Sequence, residues 1–140
     1  MASSLTYSNA ELLAILRATR SIAMVGASPK WNRPSYFAMK YLQEKGYRVI
    51  PVNPGHAGKE ILGETVYRKV AEVPGDVDLV ILFRRSADVP AHVDDIIEKR
   101  PKAVWMQSGI RNPEAAQRFA DAGIDVVQDR CTMVEHRAIA

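Results

Sequence analysis

Five short apolar runs, each continuous rather than alternating and each ending in turn residues, set what this chain can fold into. They are Ile22-Ala23-Met24-Val25 before Gly26, Arg48-Val49-Ile50-Pro51-Val52 before Asn53, and Leu79-Val80-Ile81-Leu82-Phe83 before Arg84. Ala103-Val104-Trp105-Met106 before Gln107 and Ile124-Asp125-Val126-Val127 before Gln128 complete the set. A strand with one wet face alternates apolar and polar residues, whereas an unbroken run reads as a strand covered on both faces, as in a parallel sheet. Helical spacing fills the gaps. Ser35 to Lys45 carries Tyr36, Phe37, Met39, Tyr41 and Leu42 and stops at Gly46. Ala87 to Arg100 carries Val89, Val93, Ile96 and Ile97, with Pro101 beyond it, and Pro113 to Ala122 begins on proline and stops at Gly123. Val66 to Val73 reads as a short helical turn before Pro74-Gly75. Upstream, Ser8-Asn9-Ala10-Glu11 is a capping box opening a first helix, whose apolar face of Leu12, Leu13, Ile15 and Leu16 extends toward Arg20. Strand and helix alternating in this way predict an α/β fold, a doubly wound and mainly five-stranded parallel sheet with helices on both faces.

Length and charge narrow the function classes. The 140 residues fit a single domain spanning 1–140, with residues 1–20 as an N-terminal helix packing on it. A net charge of +3 suits an anionic ligand, but no run of four Lys/Arg and no interleaving of aromatic with basic residues points to nucleic acid. The one cysteine, Cys131, excludes an intrachain disulfide and a multi-cysteine metal site. Met1 to Tyr7 is polar and lacks a signal-peptide layout, and no apolar run reaches the length of a membrane span. Together these predict a soluble, cytoplasmic protein.

In doubly wound sheets, ligands bind beyond the carboxyl ends of the strands, so the residues after each apolar run carry the functional signal. After the first run stand Gly26-Ala27-Ser28-Pro29, then Lys30-Trp31-Asn32-Arg33-Pro34-Ser35, then a helix. A glycine permits close backbone approach, a helix start offers free N–H groups, and Ser28, Ser35, Lys30 and Arg33 suit a pyrophosphate. The alternative is structural: Gly26 only turns the chain and Ser35 only caps a helix. A dinucleotide cofactor is disfavoured. Only the first glycine of Gly-x-Gly-x-x-Gly is present, and the second run ends in Asn53-Pro54 rather than in a carboxylate for ribose hydroxyls.

Val25-Gly26-Ala27-Ser28 with Arg33-Pro34-Ser35, Gly46-Tyr47-x-Val49-Ile50-Pro51-Val52-Asn53-Pro54, and Asp78-Leu79-Val80 with Phe83-Arg84 carry a further signal. Trp105-Met106-Gln107-Ser108-Gly109 and Asp129-Arg130-Cys131 with Glu135-His136 continue it. On these residues, from about Ser21 to His136, the chain resembles the CoA-binding domains related to the N-terminal domain of the succinyl-CoA synthetase α subunit, in their small stand-alone bacterial and archaeal form. The resemblance implies a Rossmann-like domain that holds coenzyme A or an acyl-CoA. It implies that Gly26, Ala27 and Ser28 line the diphosphate turn, with Arg33 and Ser35 as phosphate partners. Asn53 and Pro54 would border the adenosine end, and Lys59 would reach the 3′-phosphate. Phe83, Arg84 and Val89 would pack along the nucleotide, and Gln107, Ser108 and Gly109 would flank the pantetheine arm. Pro54 has a structural alternative, since proline after a strand commonly just ends it.

Catalysis is not expected. Ligases of that superfamily carry a phosphorylated histidine on a second domain, and nothing in this chain reads as that domain. His56 and His92 read as solvated surface, and His136 as a surface pair with Glu135. Cys131 follows the fifth run at a helix start, which would set its thiol beside the pantetheine thiol and within reach of a mixed disulfide with CoA. A spacing of five residues separates Cys131 from His136 and takes them off a common helical face, against an activated nucleophile. Two other classes stay open: an NAD(P)-binding oxidoreductase domain, and an interaction module with a vestigial nucleotide site. A homo-oligomer or a partner enzyme is equally open.

Overall fold

The computed structural model describes residues 7–139; the polar start read at Met1 to Thr6 lies outside the described residues. Five of the strands are the predicted runs: β1 (Ser21–Val25), β2 (Arg48–Val52), β5 (Leu79–Leu82), β6 (Ala103–Met106) and β7 (Asp125–Val127). All pair in parallel, in the order β2-β1-β5-β6-β7. Strand residues alternate between two cores, because successive Cβ atoms point to opposite faces. Ala23, Val25, Val80, Leu82, Val104 and Met106 face one core, with Phe119 of α4 (Pro113–Asp121) and Val93 and Ile96 of α3 (Val93–Lys99). Ile22, Met24, Leu79, Ile81 and Trp105 face the other. There they meet Leu12, Ile15 and Leu16 of α1 (Asn9–Arg17) and Met39 and Leu42 of α2 (Pro34–Glu44). Helix α5 (Thr132–Ile139) adds the partly buried Met133 on that side. The unbroken runs were therefore a sound sign of two-sided burial.

Local rules set the helix ends. The Ser8 hydroxyl accepts the Glu11 N–H at 3.3 Å and the Glu11 carboxylate accepts the Ser8 N–H at 3.1 Å, the reciprocal capping box. Helix α1 stops at Arg17, earlier than the Arg20 expected, and the Thr19 hydroxyl donates back to the Ile15 carbonyl at 2.7 Å. Asn112 caps α4 by accepting the Ala115 N–H at 2.9 Å.

Two expectations need correction. Residues 87–100 are not one helix: Ser86–His92 forms 3-10 turns, and only Val93–Lys99 is α-helical. Pro90 lies inside the first part, where it has no N–H to continue an α-helical ladder. Nor is 66–73 one helical turn. Val66 and Tyr67 run extended, with Tyr67 bridging Val52, and the turn is confined to Val70–Glu72. Just before it, β3 (Glu60–Ile61) and β4 (Glu64–Thr65) make a hairpin through Leu62 and Gly63, both at positive φ. The segment lies along the outer edge of β2, where the Pro51 carbonyl accepts the Tyr67 N–H at 3.0 Å.

Candidate functional site: a trench across the strand ends

After β1 the chain crosses to β2 on one side, and from there it reaches β5 on the other side of β1. The strand order reverses there, and the loops leaving β1 and β5 diverge around a crevice. Gly26 sits at that point with φ +85°, and a Cβ on it would lie 2.2 Å from the Phe83 carbonyl oxygen. Its N–H donates to the Val52 carbonyl at 2.9 Å, so the first turn is tied to both neighbouring strands.

The residues that follow hold one another. The Asn53 amide donates to the Ala27 carbonyl at 2.9 Å and accepts the Gly55 N–H at 3.0 Å. Ser35 Oγ accepts the Ser28 N–H at 3.1 Å, and Ser28 Oγ accepts the Lys30 N–H at 3.2 Å. No side chain caps the amino end of α2, which opens with Arg33 and Pro34. Among the described residues, neither Lys30 nor Arg33 joins an ion pair. An uncapped helix start and two free cations thus face one hollow.

That hollow, of ≈ 460 Å³, is lined by Gly26, Ser28, Lys30, Arg33, Pro34, Ser35, Asn53, His56 and Phe83. A smaller one of ≈ 260 Å³ adjoins it through Gly26 and Asn53 and adds Pro54, Gly55, Arg84 and His92. A third of ≈ 630 Å³ adjoins through Pro34, Phe83 and Arg84. Phe37, Ala38, Arg85, Gln107, Ser108, Ile110, Cys131 and Met133 complete its lining. Together they form one trench over the carboxyl ends of the sheet, beside which Trp31 stands 72% exposed.

Most residues singled out from the sequence meet in this trench, but four do not line it. The Ala27 side chain is buried beneath the turn. Lys59 is exposed, and its carbonyl accepts the Val66 N–H at 2.8 Å. Val89 is 0% exposed inside the core, because the 3-10 turns direct it inward. Gly109 is held aside by the Asp129 carboxylate, which accepts its N–H at 2.7 Å. Gln107 does line the trench, yet its amide is committed: its Oε1 accepts the Thr132 N–H at 3.2 Å and its Nε2 donates to the Thr132 hydroxyl. Cys131 is a half-buried free thiol, and its carbonyl accepts the Glu135 N–H at 3.0 Å at the start of α5.

The histidines are not the solvated surface groups expected. His56 Nδ1 and His92 Nε2 are buried without a hydrogen-bond partner. Burial, then the charge of Arg84, holds the His92 pKa below the usual imidazole value. Residues three apart eclipse in a 3-10 turn, so Pro90 could have signalled that His92 shares the side of Val89. His136 does not pair with Glu135, which binds Arg130 at 3.2 Å. Its Nδ1 instead meets the Tyr41 hydroxyl at 2.8 Å, with the rings of Tyr41 and Tyr47 edge-on to the imidazole. Burial, then Lys45, lowers its pKa.

The fold and trench define a nucleotide-type binding domain of the doubly wound class, and comparison with known proteins narrows it. Residues 20–137 match the model of the CoA binding domain family, and the chain belongs to that family. The Bacillus subtilis protein YneT is 36% identical over 129 residues, which span 92% of this chain and 94% of YneT. A structure from Thermus thermophilus, cell-free ID.343, superposes with a TM-score of 0.92 at 40% identity, covering 96% of this chain and all (100%) of the other. The alpha subunit of the ADP-forming acetate–CoA ligase II of Pyrococcus furiosus is 41% identical over 64 residues, 45% of this chain but only 14% of that subunit.

Proposed function

We propose that this protein binds coenzyme A or an acyl-CoA in the trench and does so without catalysing a reaction, as a cytoplasmic binding protein. The observation that carries this is the uncapped amino end of α2 beside Lys30 and Arg33, at the point where the strand order reverses. The Ser35 N–H is the one amide of that turn without a partner among the described residues, since Pro34 has none to offer and Arg33, Tyr36 and Phe37 bond to backbone carbonyls. It joins two cations suited to a pyrophosphate. The small hollow at Asn53, Pro54 and Arg84 suits the adenosine end, and the large one at Ser108 and Cys131 suits the pantetheine arm. The two buried imidazole nitrogens without partners also fit a polar ligand, because buried polar atoms are nearly always hydrogen-bonded.

NAD(P) fits less well. The Asn53 amide is committed to Ala27 and Gly55, and no carboxylate stands at the end of β2 to take ribose hydroxyls. A Cys131–His136 nucleophile pair is disfavoured, since the His136 Nδ1 meets the Tyr41 hydroxyl at 2.8 Å.

Isothermal titration of ligand-free protein with CoA, acetyl-CoA, NAD and NADP tests this reading. Selective binding of CoA or its thioester is expected; binding of NAD(P) alone would overturn it. Arg33→Ala should weaken CoA binding by about 1–3 kcal/mol through loss of charge-assisted bonds, and unchanged affinity would remove Arg33 from the site.

A further inference from the structure

The large hollow has two chemically different walls. The strand-end side offers Arg84, Arg85 and Ser108 beside the apolar Phe83 and Ile110, while α2 and α5 offer Phe37, Ala38 and Met133, with no hydrogen-bonding side chain among them. Gln107 does not soften the contrast, because both ends of its amide are held by Thr132. A pantetheine arm carries two amides and a hydroxyl, and laying these against carbon would strip their water without replacing it. The arm therefore belongs on the strand-end side. The opposite wall remains, continuous with the same trench through Pro34 and Phe83. Phe37 keeps 49% of its surface exposed there, an apolar ring on a helix whose large aliphatic residues, Met39 and Leu42, are buried.

We propose that this wall is a subsite for the hydrocarbon chain of an acyl thioester longer than acetyl, so that the preferred ligand is an aliphatic acyl-CoA rather than free CoA. The inference rests on the coenzyme A reading above and deepens it. The thioester lies near Ser108, and the chain runs between α2 and α5 over Ala38 and Met133, under Phe37.

Each methylene taken out of water raises affinity about fourfold, so a chain-length series reads this subsite directly. Titrating the full-length protein with CoA, acetyl-, butanoyl-, hexanoyl- and octanoyl-CoA should give affinities that rise with length. Octanoyl-CoA should bind more than about tenfold tighter than acetyl-CoA, the result of burying only two methylenes. In Phe37→Asp the ratio of octanoyl-CoA to CoA affinity should collapse toward one. CoA binding with a flat or falling series would overturn the subsite while leaving the coenzyme A reading intact. A rise that survives Phe37→Asp would put the chain elsewhere and overturn it too. Silence from every member of the series, CoA included, would sink both.

Discussion

Gly26 is the residue on which the trench depends most. Its φ of +85° excludes a side chain on conformational grounds, and a Cβ 2.2 Å from the Phe83 carbonyl excludes one on grounds of space. Gly46, with φ +95°, provides the control, since nothing lies within 4 Å of a Cβ built there. Gly46→Ala should therefore cost only the backbone strain, about 1–3 kcal/mol at most. Gly26→Ala should cost more, because it also forces the β1 and β5 loops apart, and it should weaken CoA binding besides. Urea denaturation of the two variants compares them, and equal losses would mean that the approach to Phe83 relaxes freely. That Gly26 matters was legible in the sequence, but the reason expected was approach to a phosphate. The structure adds a second, a close packing of the protein's own loops that no local pattern encodes.

Among the elements, α5 is anchored to the sheet by a buried side chain at a strand end. Gln107, read from the sequence as a flank of the pantetheine arm, receives the first turn of α5 through Thr132, itself 0% exposed. Gln107→Leu should leave the Thr132 hydroxyl and N–H unpaired, at a cost of about 1–3 kcal/mol. Hydrogen exchange in residues 132–139 should quicken more than in α4, whose cap at Asn112 is untouched. Uniform quickening across both helices would argue against this local anchor. Strands and most helix ends were legible because burial on two faces and capping chemistry are written in neighbouring residues. The hairpin of β3 and β4 was not, since two-residue strands are too short to show a period. The 3-10 turns at Ser86–His92 share their apolar spacing with an α-helix, and only Pro90 marks the difference.

At the scale of the whole molecule, protons are linked to folding. His92 and His136 are both held, chiefly by burial, below the 6.5 of a free imidazole. Between that value and the lower folded ones, the unfolded chain binds more protons than the native one, so stability falls as pH drops below about 6.5. Asp78 extends the trend into acid. Burial alone would raise its pKa, but the N–H groups of Arg20 and Ser21, with Lys102, together hold it below 3.8, and its contribution is lost as pH falls beneath that value. Urea midpoints should therefore decline from pH 7 to pH 5.5, and His136→Phe should flatten part of the decline. An unchanged midpoint across that interval would contradict the burial seen at both rings. The trench itself was partly legible, because strand ends mark its floor and small, hydroxyl and basic residues cluster after β1. Phe37 and Met133 were not read as its walls, since only the packing of α2 and α5 brings them there, nor was Ile110, which the loop after β6 carries.

The two tryptophans occupy opposite worlds. Trp105 is 0% exposed, its indole N–H donating to the Arg130 carbonyl at 2.8 Å, whereas Trp31 stands in water beside the uncapped helix start. In optical terms the chain carries two separable lamps: one with blue-shifted emission, sealed in the sheet, that dims or shifts when the fold opens, and one with red-shifted emission at the rim, reached by soluble quenchers and sensitive to whatever settles beside it.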